Sequence, residues 1–173
     1  MGGIDIKLVD ITKAGTDCIV NAANSGLCPG SGVCGAIFHS AGSDELEEAC
    51  RRIGHCDTGS AVITPAFRID ARYIIHAVGP VWHGGGSGEA ELLAGAYQSA
   101  LDLCVEHDCH SIAFPLISAG IYGYPKEQAW DIALDTCRMF LDEHPDSDLE
   151  IVFAVVDPDM LALGKALLEQ KDR

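Results

Sequence analysis

Basic residues are scarce in this chain: 11 Lys plus Arg stand against 26 Asp plus Glu among 173 residues, for a formal net charge of -15. A surface of that sign repels the polyphosphate backbones that nucleic-acid-binding proteins attract with basic patches, so DNA and RNA are not expected partners. Long apolar runs are missing too. The longest, such as 149–156, reach only strand length and carry an acidic residue, far short of the ~20 apolar residues that cross a bilayer. No membrane partner is expected. The opening MGGIDIKLVD lacks a basic segment followed by an apolar stretch and a small-residue cleavage site, which argues against a secretory signal.

Cysteine is plentiful, with eight residues, but no C-x-x-C pair occurs, which removes the main signature of zinc ribbons and thioredoxin-like redox sites. Scattered thiols in a chain long enough to fold without staples fit a reducing cytoplasm and a role as small core residues. What is present is apolar content of 48% over 173 residues. That bounds the chain as one compact domain, residues 1–173, with a substantial core.

Periodicity then organises the chain. IDIKLVDI alternates as a half-buried strand, and DCIVNAA reads as a more buried one. Gly32 to Ala41 is expected to form a short helix, and Ser43 to Ile53 a second, with Ser43 as its cap and acidic-to-basic polarity suited to the helix dipole. SAVITPAF and YIIHAVGPVW follow as strands, and WHGGGSGEAE as an exposed, flexible loop. Leu92, Leu93, Ala96, Tyr97, Ala100, Leu101 and Cys104 recur at helical spacing. SIAFPLI is another strand, Pro125 opens a helix, LEIVFAVV is the last strand, and Asp157 caps a final helix with Pro158 at its first position. Strands alternating with helices predict an α/β sheet covered on both faces, with ligands outside the carboxyl ends of its strands.

Two glycine-rich turns follow strands there. NAANSGLCPGSGVCG comes after the second strand and SAGIYGYP after SIAFPLI. Facing each other, such turns can wrap a diphosphate, because glycine lets the backbone approach and its N–H groups point at oxygen anions. The first turn lacks the lysine of G-x-x-x-x-G-K-[ST], which disfavours nucleoside triphosphate hydrolysis. Cys28, Cys34 and His39 are spaced C-x₅-C-x₄-H with no fourth ligand nearby, so no metal site is assigned to them. His76 reads as a buried histidine satisfied by hydrogen bonds.

Asp10 at the end of the first strand, N-A-A-N at 21–24, glycines to Gly35, H-A-V-G-P at 76–80 and P-L-I-S-A-G-I-Y-G-Y-P at 115–125 together resemble the macro domain family over nearly the whole chain. The resemblance implies a three-layer α/β/α fold with a mixed sheet of about six strands, and a cleft for ADP-ribose, free or carried on protein, with no cofactor. It implies that Asp10 accepts a hydrogen bond from the adenine amine beside the backbone of Ile11, with Val156 as a further adenine contact. Gly30, Ser31, Gly32 and Val33 would line one side of the diphosphate, and Ser118, Ala119, Gly120, Ile121, Tyr122 and Gly123 the other. Tyr122 would lie against the distal ribose, Asn24 would reach its hydroxyls, and Asn21 would either touch the ligand or hold the loop.

Hydrolytic relatives of the MacroD type read G-G-G-G-V-D-G-x-I-H through the first turn, where this chain has Cys34 at the aspartate and Phe38 at the histidine. His39 is one position displaced, a rotation of about 100° on a helix. A thiol near its ordinary pKa of about 8.5 is mostly protonated at neutrality, so Cys34 is a poor general base. Binding without fast turnover is the expectation. The alternative is a hydrolase acting on ADP-ribosyl esters, O-acetyl-ADP-ribose or ADP-ribose 1″-phosphate through Asn24 and a water held by the diphosphate.

Overall fold

The structure, a computed structural model, describes residues 2–172. Six strands form one sheet in the order β1-β6-β5-β2-β4-β3. They are β1 (Gly3–Leu8), β2 (Cys18–Ala22), β3 (Ala61–Pro65), β4 (Tyr73–Ala77), β5 (Ser111–Phe114) and β6 (Glu150–Val155). All pairings are parallel except that of β3 with β4, which makes the sheet mixed. Among the described residues the α-helices are α1 (Gly32–Ala41), α2 (Ser43–Ile53), α3 (Glu89–Glu106), α4 (Lys126–Glu143) and α5 (Pro158–Lys171), and a 3₁₀ turn spans Ile11–Lys13.

Alternation along the central strands sorts the helices into two layers. Cys18 and Val20 of β2 and Ile75 of β4 pack with residues of α3, α4 and α5, whereas Ile19 of β2 and Ile74 of β4 pack with α1 and α2. Both faces are buried, so these strands read as nearly continuous apolar runs. The larger layer holds an aromatic cluster: Phe114 stacks on Phe153, and Tyr97 lies 5.0 Å from Phe114 between ring centroids. The fully buried Tyr97 hydroxyl accepts from Ile117 N–H at 2.9 Å and donates to the Pro115 carbonyl at 3.3 Å. The core thereby fixes the segment that leaves β5.

The elements follow the sequence periodicity, with three differences. The residue before α2 is Gly42, whose φ of 94° suits glycine, and Ser43 is the first helical residue, its hydroxyl bonded to Glu47. Ser43 is therefore not the cap. β4 and β5 end at Ala77 and Phe114, before the prolines of V-G-P and P-L-I, because proline cannot donate to a sheet ladder. The 83–88 segment, expected as a flexible loop, is exposed but laced to Glu89, whose buried carboxylate accepts from the N–H groups of His83, Gly85 and Ser87. Asp157 caps α5 through the N–H of Asp159, with Pro158 following, as expected.

Candidate functional site

A cavity of about 300 Å³ opens beyond the carboxyl ends of β2 and β5, between the turn that enters α1 and the turn that follows β5. Asn24, Gly30, Ser31, Gly32, Val33 and Cys34 line it from the first turn. Ser118, Gly120, Ile121 and Tyr122 line it from the second. Sequence reasoning did not assign Ala22, Ala23, Gly79, Pro115, Leu116 and Ile117, which also line it. The signal for the last four was present in V-G-P and P-L-I, since they follow β4 and β5, the parallel strands on either side of β2, and clefts form beyond the carboxyl ends of such strands.

The first turn is built around Asn24. Its amide nitrogen donates to the Cys28 carbonyl and its oxygen accepts from Cys28 N–H, both at 2.9 Å. Each function keeps capacity for one more partner, and Asn24 stands at the cavity wall. Leu27, buried 3% exposed in a left-handed conformation, anchors the loop beneath, while Cys28 is exposed. Gly35 is required here, because a Cβ would stand 2.5 Å from the Gly30 carbonyl oxygen. Ser31 precedes α1 and makes no side-chain cap bond. The N–H groups of Gly32, Val33 and Cys34 form the first turn of α1, where no carbonyl four residues earlier is helical, so they point outward as donors.

The second turn presents a matching set. Ser118 has φ 68°, rare for a residue with a side chain, and its N–H and those of Gly120, Ile121 and Tyr122 take no backbone acceptor among the described residues. The turn is held by Tyr124 N–H to the Ser118 carbonyl at 2.9 Å, Gly123 N–H to Gly120 at 3.0 Å, and Trp82 N–H to the Tyr122 carbonyl at 2.9 Å. Gly79 sits behind it so closely that a Cβ would approach Ser118 Oγ to 2.3 Å. Ser118 Oγ is buried and has no hydrogen-bond partner among the described residues.

Beneath the first turn lies a polar chain. Asn21, 1% exposed, donates its amide to His76 Nδ1 at 3.1 Å, and His76 Nε2 meets Thr64 Oγ1 at 3.0 Å. The Thr64 hydroxyl then donates to the Pro65 carbonyl. This order leaves imidazole neutral with its proton on Nε2, and burial lowers its pKa to about 4. Asn21 thus supports the loop from below and does not line the cavity. Cys34 is 7% exposed, its thiol donates to the Cys28 carbonyl at 3.7 Å, and burial holds its pKa above the ordinary value. Phe38 is buried facing His76, with ring centroids 6.4 Å apart, while His39 is exposed on the other side of α1.

The remaining sequence-derived positions lie apart from the cavity wall. Asp10 and Val156 follow the adjacent strands β1 and β6 and are both exposed, Val156 at 77%. Asp10 stands in solvent at the end of β1. Its Oδ1 accepts from Thr12 N–H and Oγ1 at 3.0 and 2.8 Å, which lower its pKa and leave Oδ2 available. Ile11 and Ala119 are buried in the core, and Gly123 lies exposed at the base of its turn.

Residues 20–133 match the pattern of the Macro domain family. The chain belongs to the macro domain family. It is 52% identical over 158 residues to a macro domain-containing protein of Chlorobaculum tepidum, covering 91% of each chain. It is 44% identical over 175 residues to a Cronobacter sakazakii protein named O-acetyl-ADP-ribose deacetylase, covering 99% of this chain and 96% of that one. In fold it is similar to the Oceanobacillus iheyensis macrodomain with ADP, with a TM-score of 0.93, 38% identity, and coverage of 99% of this chain and 92% of that chain. A variant of that macrodomain with ADPR superposes with a TM-score of 0.92 at 36% identity, covering 99% and 94% of the two chains. Among the described residues of this macro domain, no helix is long and apolar enough to cross a membrane.

Proposed function

We propose that this macro domain binds ADP-ribose, free or attached to protein, in the cleft between its two turns. The observation that carries the reading is that one cavity is lined both by the first turn of α1, whose N–H groups precede any helical acceptor, and by the 118–122 turn, four of whose N–H groups take no backbone acceptor among the described residues. Such donors hold a diphosphate without a metal, in a chain whose net charge would otherwise oppose it. The adenine would rest where β1 and β6 end, with its amine on Asp10 Oδ2 and its ring on Val156. Tyr122 and Asn24 would take the distal ribose, Asn24 with the one donor and one acceptor position left to it. The solved relatives with ADP and ADPR support this choice of guest.

Calorimetry with ADP-ribose tests it. One molecule should bind per chain, and Asp10→Ala should weaken binding by roughly 10- to 150-fold, the worth of ~1.5–3 kcal/mol for a hydrogen bond to a charged group. Absence of heat at millimolar ADP-ribose would overturn the proposal.

The relative named O-acetyl-ADP-ribose deacetylase favours a second reading, a hydrolase of ADP-ribose esters. Here Cys34 offers a buried thiol with a raised pKa where the MacroD pattern has a carboxylate, so water would have to be oriented by Asn24 and a diphosphate oxygen. Turnover by that route should be slow. Cys34→Asp restores a base and should raise ADP-ribosyl ester release by about 10²- to 10⁴-fold. Equal rates in the wild type and that variant would sink the argument from the missing carboxylate.

A further inference from the structure

Three of the eight cysteines meet at the end of the sheet opposite the cleft. Cys18 opens β2, Cys104 lies in the last turn of α3, and Cys109 precedes β5. Their sulfur atoms all lie within 4.8 Å of one another, at exposures of 0%, 0% and 5%. They form the only such group of three potential metal-ligating side chains among the described residues. Three sequence-distant segments are needed to build it, so no local motif announces it.

We propose that Cys18, Cys104 and Cys109 bind a thiophilic divalent cation of the zinc and cadmium class as a three-sulfur site. Metal–sulfur bonds of ~2.3 Å at tetrahedral angles, with a water as the fourth ligand, set the sulfurs about 3.8 Å apart, so the observed triangle needs a contraction of at most ~1 Å to close on an ion. Thiolate sulfur selects soft cations over magnesium or calcium. Neighbouring side chains with ligand atoms are engaged elsewhere: the Asp17 carboxylate accepts from His110 N–H at 2.8 Å, and His107 Nδ1 is at 2.9 Å from the Leu103 carbonyl.

Charge selects the divalent state. Three thiolates and a 2+ ion leave one negative charge; Arg72 places a positive charge and Asp17 a negative one beside the cluster, so a divalent ion leaves the least excess negative charge of the monovalent and divalent choices. The guanidinium binds the carbonyls of His107 and Asp108, the residues that lead into Cys109. A monovalent ion would leave a buried excess of negative charge, which is costly. The end of α3, where carbonyls point outward, also favours a cation. Oxidation to a disulfide suits the cluster less well, because it would join two of the sulfurs and leave the third unused.

The test is cadmium chloride added to the reduced full chain in a phosphine reductant, followed by gel filtration and metal analysis. The expected result is about one cadmium retained per chain, an ultraviolet sulfur-to-cadmium charge-transfer band, and a raised melting midpoint, since an ion that binds only the folded state stabilises it. Cys104→Ala and Cys109→Ala should each abolish retention. Both should still bind ADP-ribose at the far end of the sheet, so this result is independent of the proposed cleft function. Absence of the band in the wild type would overturn the site whatever the variants do. Retention undiminished in both variants, or a lowered melting midpoint on loading, would overturn it equally.

Discussion

His76 shows how one buried side chain can govern behaviour in acid. Its ring is fully buried, bonded on both sides and neutral, with a pKa lowered from 6.5 to about 4. Between those values the unfolded chain takes up a proton that the folded chain refuses, so stability is complete above pH 6.5 and falls as pH drops toward 4. The loss from this ring is roughly 3 kcal/mol once both limits are passed. Urea midpoints measured from pH 7 to 4 should fall, and His76→Gln should flatten that fall; an unchanged slope would place its origin elsewhere. Gly79 is a second critical position. A methyl group there would meet Ser118 Oγ at 2.3 Å and Ile117 Cγ2 at 2.5 Å. Gly79→Ala should therefore destabilise by about 1–3 kcal/mol through overpacking, and should weaken ADP-ribose binding by displacing the 118–122 turn. Urea denaturation and calorimetry read the two effects separately.

At the scale of elements, the 83–88 loop connects the acid-base chemistry of Glu89 to the cleft. Three backbone donors stabilise its carboxylate and lower its pKa to about 2. The next residue outward, Trp82, holds the Tyr122 carbonyl and packs on Tyr124 with ring centroids 4.7 Å apart. Glu89→Gln should speed proteolysis of 83–88 and loosen ligand binding through that contact. Its stabilising contribution is present above about pH 4.5 and lost as pH falls toward 2, below the window of His76. The strands, helices and both turns were legible because hydrophobic period and glycine placement are local properties. The role of Glu89 was not: an acidic residue in a first helical turn already has a reason to be there, and only the folded chain returns His83, Gly85 and Ser87 to it. Asn24 was legible as a cleft residue, but its pair of hydrogen bonds with Cys28 depends on a turn closing over four residues. Asp10 was legible as the end of the first strand, but its capping of the 3₁₀ turn at Ile11–Lys13, which occupies Oδ1, depends on the folded turn.

Across the whole molecule, a net charge of -15 surrounds a cleft proposed for an anionic guest. Steering of this sign slows encounter, and salt relieves it. Raising sodium chloride from about 20 to 200 mM shortens the Debye length to under ~10 Å, so the association rate of ADP-ribose in stopped flow should rise. A fall with salt would mean that local positive potential extends well beyond the cleft. The distribution of thiols is also a property of the whole fold: seven of the eight are buried, and Cys28 alone is exposed, at the lip of the turn that Asn24 braces. A maleimide dye mixed with the native wild-type protein should therefore attach at a single address, next door to any arriving guest. The chain carries a built-in fluorescent reporter position that needs no engineering.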